Sequence, residues 1–142
     1  MTTVRFQLTS ALPATQAFAV LTDFSATRAD IWPSIDLDHL QVHDRGENWA
    51  EVTEGTDAAW ERSRYEWDTT GTRVDVTTHD SKLFGAGGGW TFRLTPVADG
   101  TLVDVELVRE PRSVKGRMLA ALLPLVGPTS LKKSFATALQ AR

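Results

Sequence analysis

The sequence has no cysteine, which excludes disulfide staples, thiolate nucleophiles and thiolate metal centres, and leaves any redox chemistry dependent on a bound cofactor. Neither sign of charge dominates. Against 18 Asp+Glu stand 15 Lys+Arg, a formal net charge of -3, and the basic residues are nowhere gathered into a stripe that would follow a phosphate backbone. Nucleic acid is therefore not an expected partner. Long hydrophobic runs are missing as well: the most apolar stretch, Met118 to Val126, falls short of the roughly 20 residues a helix needs to cross a bilayer, so stable membrane insertion is not expected. The first seven residues alternate like a strand and lack the apolar segment and small-residue cleavage site of a secretory signal, which makes the cytoplasm the expected location. The glycine-rich segment from Gly85 to Gly89 lacks the Lys-Ser/Thr ending of a phosphate-cradling loop and opens onto no helix; it reads as a flexible hairpin connection. No serine has the setting of a nucleophile elbow, so a hydrolase triad finds no support.

A 42% hydrophobic content over 142 residues suffices for one sizeable core, and no repeat, linker or low-complexity tract divides the chain. One domain over residues 1–142 is the expectation. Val4, Phe6 and Leu8 alternate with Arg5 and Gln7 in a half-buried strand. Pro13 then opens a helix carrying Ala17, Val20, Leu21 and Phe24 at helical spacing, and a short second helix over 25–30 ends before Trp32-Pro33.

From there the period is two. Leu40 and Val42 define one face of a strand whose other face holds His39, Gln41 and His43; Ala50, Val52 and Glu54 form the inward set of the next. Residues 59–68 alternate Ser63, Tyr65 and Trp67 against Arg62, Arg64 and Glu66. Three further strands follow, marked by Val74, Val76 and Thr78, by Trp90, Phe92 and Leu94, and by Val103, Val105 and Leu107. The helical period returns at Ser113, a plausible cap, with Val114, Met118 and Leu122 four apart; Pro124 and Gly127-Pro128 are expected to break or kink this helix before Leu131, Phe135 and Leu139 resume the stripe. A meander with short hairpins has one face to bury, and the C-terminal helix is the element left to cover it. A sheet of seven strands must twist and coil, and its concave face arches over that helix with space to spare.

In order and spacing, four segments resemble the SRPBCC superfamily, also called START-like or birch-pollen-allergen-like, and within it the polyketide cyclase/dehydrase group. They are the helix from Pro13 to Asp23, Trp32-Pro33, the run from Trp90 to Pro96 and the run from Asp99 to Glu106. The resemblance covers almost the whole chain. It implies an α+β helix-grip fold: a seven-stranded curved antiparallel sheet around a long C-terminal helix, with two short helices between strands 1 and 2. It also implies a cavity for lipid- or polyketide-like molecules, in which some members catalyse cyclisation or dehydration, and it brings no invariant catalytic motif.

Trp60, Tyr65, Trp67, Trp90 and Phe92 supply the aromatic surface that suits a ligand cavity, although a small domain also needs such side chains simply to fill its core. Trp60 has the opposite parity to Tyr65 and Trp67, so it joins them only through a bulge. Glu54 and Arg109 are ionisable residues in phase with inward apolar sets, and buried charge must be paired or given a ligand; the plainer alternative is a solvated strand end. If the pocket catalyses a reaction, Tyr65 or Glu54 is the proton-transfer group. Met118 and Leu122 lie in a stretch apolar nearly all the way round, which points to cavity lining on one side and a homodimer surface on the other, or to deep burial. His39 and His43, flanked by Asp38 and Asp44, lack the rest of a metal-ligand set and read as a solvated pair. The expectation is a binder of a small hydrophobic molecule without metal or cofactor, or else a cyclase/aromatase-like enzyme using the same pocket.

Overall fold

The computed structural model describes residues 2–84, 86–110 and 114–141, except that the side chains of residues 114, 115, 119, 120 and 122–128 fall outside the description. The Ser113 cap, the Gly85 end of the glycine segment and the Leu122 side chain therefore lie outside the described residues.

Seven strands form one antiparallel sheet in the order β1-β7-β6-β5-β4-β3-β2. They are β1 (Thr2–Ser10), β2 (Gln41–Arg45), β3 (Trp49–Gly55), β4 (Trp60–Trp67), β5 (Arg73–Ser81), β6 (Gly89–Val97) and β7 (Gly100–Arg109). Helices α1 (Ala14–Thr22) and α2 (Thr27–Ile31) connect β1 to β2, and α3 (Val114–Ala138) follows β7. This is the helix-grip arrangement, with the first strand paired to the last.

Alternation decides which side chains meet. Along β7, Thr101, Val103, Val105, Leu107 and Arg109 all point inward and are buried, and the register sets Leu8 against Val103 and Val4 against Leu107. Across the neighbouring strands, aromatics face smaller residues: Tyr65 lies between Ala50 and Val76, and Phe92 between Val74 and Val105. A bulge in β5 sets Ser63 opposite Thr78 but Arg62 opposite Asp80.

Two expectations need correction. His39 and Leu40 do not belong to β2. The Asp36 carboxylate accepts from the His39 backbone N–H at 2.9 Å and contacts its ring Nδ1 at 2.6 Å, which winds Leu37–His39 into a 3₁₀ turn. His39 and His43 thus sit on different elements, and His43 bonds the Thr53 hydroxyl instead. Nor do Pro124 and Gly127-Pro128 divide the terminal helix, which is a single element of 25 residues. Each proline forfeits one backbone bond of its own.

The C-terminal end of α3 is fastened to β1. Ser10 donates its hydroxyl to the Leu139 carbonyl, and the Ala11 N–H reaches the Gln140 carbonyl at 2.9 Å. This fixes Phe135 over the sheet, where its ring meets Trp32 edge-on at 5.0 Å and also contacts Phe6, Trp90 and Phe92, with centroids 5.5–5.7 Å away.

Candidate ligand-binding site

Between the concave face and α3 lies a cavity of about 210 Å³. Its apolar walls come from Leu21 and Trp32 on the helical side, Ile35 in the following loop, Trp90 and Phe92 on β6, and Leu131 and Phe135 on α3. Exposed Ser34 and Ala59 stand at its rim. Its polar side is made by Glu54, Glu61, Tyr65 and Arg28.

Glu54 and Glu61 are directly opposite each other on β3 and β4, an arrangement of like charges that destabilises a sheet unless it is neutralised. Each has its own arginine. Arg28, 4% exposed, donates Nε–H to Glu54 Oε2 at 2.6 Å, and Nη2 reaches Glu54 Oε1 at 3.3 Å and the Tyr65 hydroxyl at 3.1 Å. Its Nη1 donates to the carbonyls of Val20, Leu21 and Asp23 at 3.1–3.3 Å, groups that the C-terminal end of α1 leaves without helical partners. The guanidinium also lies over the Phe24 ring at 4.7 Å. One side chain thereby closes α1, ties α2 to the sheet and neutralises Glu54.

Burial works against the charge on Arg28, but the Glu54 carboxylate, with Tyr65, outweighs it and the pKa is raised. Burial first, then the negative charge of Glu54, pushes Tyr65 well above the ordinary tyrosine value, more than offsetting the pull of Arg28. Tyr65 is therefore a neutral donor whose proton goes to Glu54. This triad has the character of a structural clasp in the cavity wall, with its acid and its hydroxyl already engaged.

The second pair is less complete. Arg109, 3% exposed, donates Nη2 to Glu61 and Nη1 to Thr78 Oγ1 at 3.1 Å, and its guanidinium lies near the rings of Phe84 and Trp90. Among the described residues, its Nε–H has no hydrogen-bond partner. Burial pulls its pKa down to about 10.

The structure thus brings Glu54, Tyr65, Trp90 and Phe92 together around the cavity, with Arg109 behind Glu61 and Trp90. Three other candidates stand elsewhere. Trp60 keeps the parity of Arg62 and Arg64, since the bulge falls in β5 and leaves the phase of β4 intact, and it does not line the cavity. Trp67 packs against Phe18 and Phe24 at the other end of β4. Met118 is 67% exposed, because the phase of α3 turns it away from the sheet. Arg28, Glu61, Ile35, Leu21, Trp32, Leu131 and Phe135 also line the cavity and were not among the residues expected there; Glu61 has the parity of Ser63 and Tyr65, which was signal enough to find it.

No protein-family model matches the chain, and no curated protein matches it in sequence. Solved structures do share its fold. A START superfamily protein from Mycobacterium smegmatis superposes with a TM-score of 0.74 at 17% identity, covering 99% of this chain and 98% of its own. The Zhui aromatase/cyclase from a Streptomyces species gives 0.68 at 17% identity, over 96% of this chain and 92% of its own. The di-domain aromatase/cyclase StfQ of the steffimycin biosynthetic pathway gives 0.68 at 15% identity, over 97% of this chain and 50% of its own. At 15–17% identity these likenesses show that the chain shares the helix-grip fold of these structures. Among the described residues, no helix is long and apolar enough to cross a membrane.

Proposed function

We propose that residues 1–142 act as one domain that binds a small hydrophobic molecule between the sheet and the C-terminal helix. One observation carries this reading: the sheet and α3 leave about 210 Å³ between Trp32, Trp90, Phe92 and Phe135. An apolar cavity of roughly 150 Å³ already holds benzene, so this space suits a guest somewhat larger than one ring. Burial of apolar surface, at about 25 cal/mol per Å², is the driving force. Native mass spectrometry of the purified protein tests it. A small apolar adduct that is lost on organic extraction is expected, and its rebinding is expected to change the emission of Trp32 and Trp90. A protein that carries no adduct and whose emission ignores hydrophobic probes counts against the proposal.

A reaction of the aromatase/cyclase kind in the same cavity is the second reading. It is favoured by Glu61, a carboxylate held at the cavity wall by Arg109 and less fully bonded than Glu54. Proton abstraction from a bound guest would fall to it, and Glu61→Gln would then abolish turnover while leaving binding in place.

A further inference from the structure

We infer that Glu61 is the polar recognition point of the cavity and that it selects a guest whose apolar body carries an uncharged hydrogen-bond donor, a hydroxyl. The inference rests on the reading of the cavity as a site for a hydrophobic molecule. The polar side chains of the wall are unequally committed. All the N–H groups of Arg28 are spent on Glu54, Tyr65 and three backbone carbonyls, and the one proton of Tyr65 goes to Glu54. Glu54 therefore accepts from both neighbours, on both of its oxygens. Glu61 accepts, among the described residues, only from Arg109 and only at Oε1. A carboxylate has about four lone-pair sites, so Oε2 of Glu61 is the unspent acceptor of the wall. That oxygen is also open to a guest. Among the described residues, Arg109 Nε is the only buried side-chain nitrogen or oxygen without a hydrogen bond, so the unbonded Oε2 is not buried. Glu61 has the inward parity of Ser63 and Tyr65 and is itself part of the cavity wall, which puts the open oxygen on the side where a guest lies.

Charge selects the kind of donor. The carboxylates of Glu54 and Glu61 are each paired with a guanidinium, so the polar side of the cavity is already balanced. A guest ammonium would bring one unmatched positive charge into a partly desolvated wall, which is costly; a hydroxyl donates to Oε2 and leaves the balance untouched. The other polar groups of the wall are neutral: the Trp90 indole N–H, and the hydroxyls of Ser34 and Ser134. They can serve a guest that brings only an acceptor, but a neutral pair is about half as strong as a hydroxyl on a carboxylate. The wall therefore favours a guest that donates over one that only accepts.

Four probes of nearly equal size separate these cases: 2-ethylnaphthalene, 2-(hydroxymethyl)naphthalene, 2-methoxynaphthalene and 2-(aminomethyl)naphthalene, titrated by calorimetry near neutral pH. On the natural protein the alcohol is expected to bind about fivefold to tenfold tighter than the ether, the difference between a bond to a charged acceptor and a neutral one, and the ammonium to bind weakest. Glu61→Gln keeps a carbonyl oxygen for Arg109 and turns an NH₂ donor to the cavity, so the ratio of alcohol to ether affinity is expected to fall to within about twofold, with circular dichroism confirming the fold. The double variant Glu61→Gln/Arg109→Met leaves no unpaired guanidinium and reads the same ratio if the single variant does not fold. Equal binding of alcohol and ether to the natural protein, with the hydrocarbon still bound, overturns the donor selection and leaves the cavity reading standing. Tightest binding of the ammonium overturns the uncharged donor. A preference for the alcohol that survives the loss of the Glu61 carboxylate overturns the assignment to Glu61. Binding of none of the four overturns the cavity reading and this inference with it.

Discussion

Arg28→Met removes the guanidinium but keeps much of its apolar stem, and its cost follows from what Arg28 holds. Glu54, with 15% of its side chain exposed, loses both ion-pair bonds and is left as a buried charge, a change that costs about 3–5 kcal/mol in comparable sites. Loss of the contact over Phe24 adds about 0.5–2 kcal/mol. Val20 and Asp23 are only partly buried residues, so their carbonyls are expected to recover bonding from water and to add less. A loss of about 3.5–7 kcal/mol is a large part of the roughly 5–15 kcal/mol that stabilises a typical domain. Urea unfolding followed by tryptophan emission measures it as a lower midpoint at unchanged slope. The double variant Arg28→Met/Glu54→Gln is expected to regain a substantial share, because the orphaned charge is gone. A loss below about 1 kcal/mol, the value of a solvent-exposed ion pair, would refute the clasp.

Tyr65 is the only tyrosine, so phenolate absorbance reports on it alone. Its raised pKa means that the folded protein keeps the proton where the unfolded chain loses it; stability is therefore intact below about pH 10 and falls as pH rises beyond that. Absorbance of the native protein is expected to stay flat through pH 10 and rise only on unfolding, whereas the chain in denaturant titrates normally. Phe135→Ala is expected to cost about 3–5 kcal/mol in urea unfolding and to admit bulkier guests, since its ring meets four other aromatics and borders the cavity. Gly88→Ala is expected to lower the melting temperature: φ is +71° there, a conformation that costs a residue with a side chain about 1–3 kcal/mol, and the added methyl would lie 2.0 Å from the Val108 carbonyl oxygen.

That last position also shows what the glycine-rich segment is for. Read as composition it is a flexible connection, whereas in the fold Gly88 and Gly89 let the start of β6 approach the backbones of β7 and β5. The strands themselves were legible because one face is buried, so Val74, Val76, Trp90, Phe92, Val103 and Val105 carry a period of two. The same phase placed Glu54, Tyr65, Trp90 and Phe92 inward. Arg28 left no such trace. It sits in a five-residue helix among Thr, Ala and Asp, and its only sequence sign is that Trp32 follows four residues later on the same helical face. Met118 was misplaced for the opposite reason: a stretch apolar on every side has no phase from which to read which residues face the sheet. The 3₁₀ turn at Leu37–His39 was hidden because a local bond to Asp36 overrides the first two residues of an alternating pattern that continues to His43.

The most direct measurement is methyl NMR of the protein titrated with 2-ethylnaphthalene. Leu21, Ile35 and Leu131, whose methyls border the cavity, are expected to shift together and saturate, while the exposed methyls of Leu37 and Val97 stay still. Shifts confined to those exposed methyls, or no saturable change at all, would mean that the space between sheet and helix admits no guest.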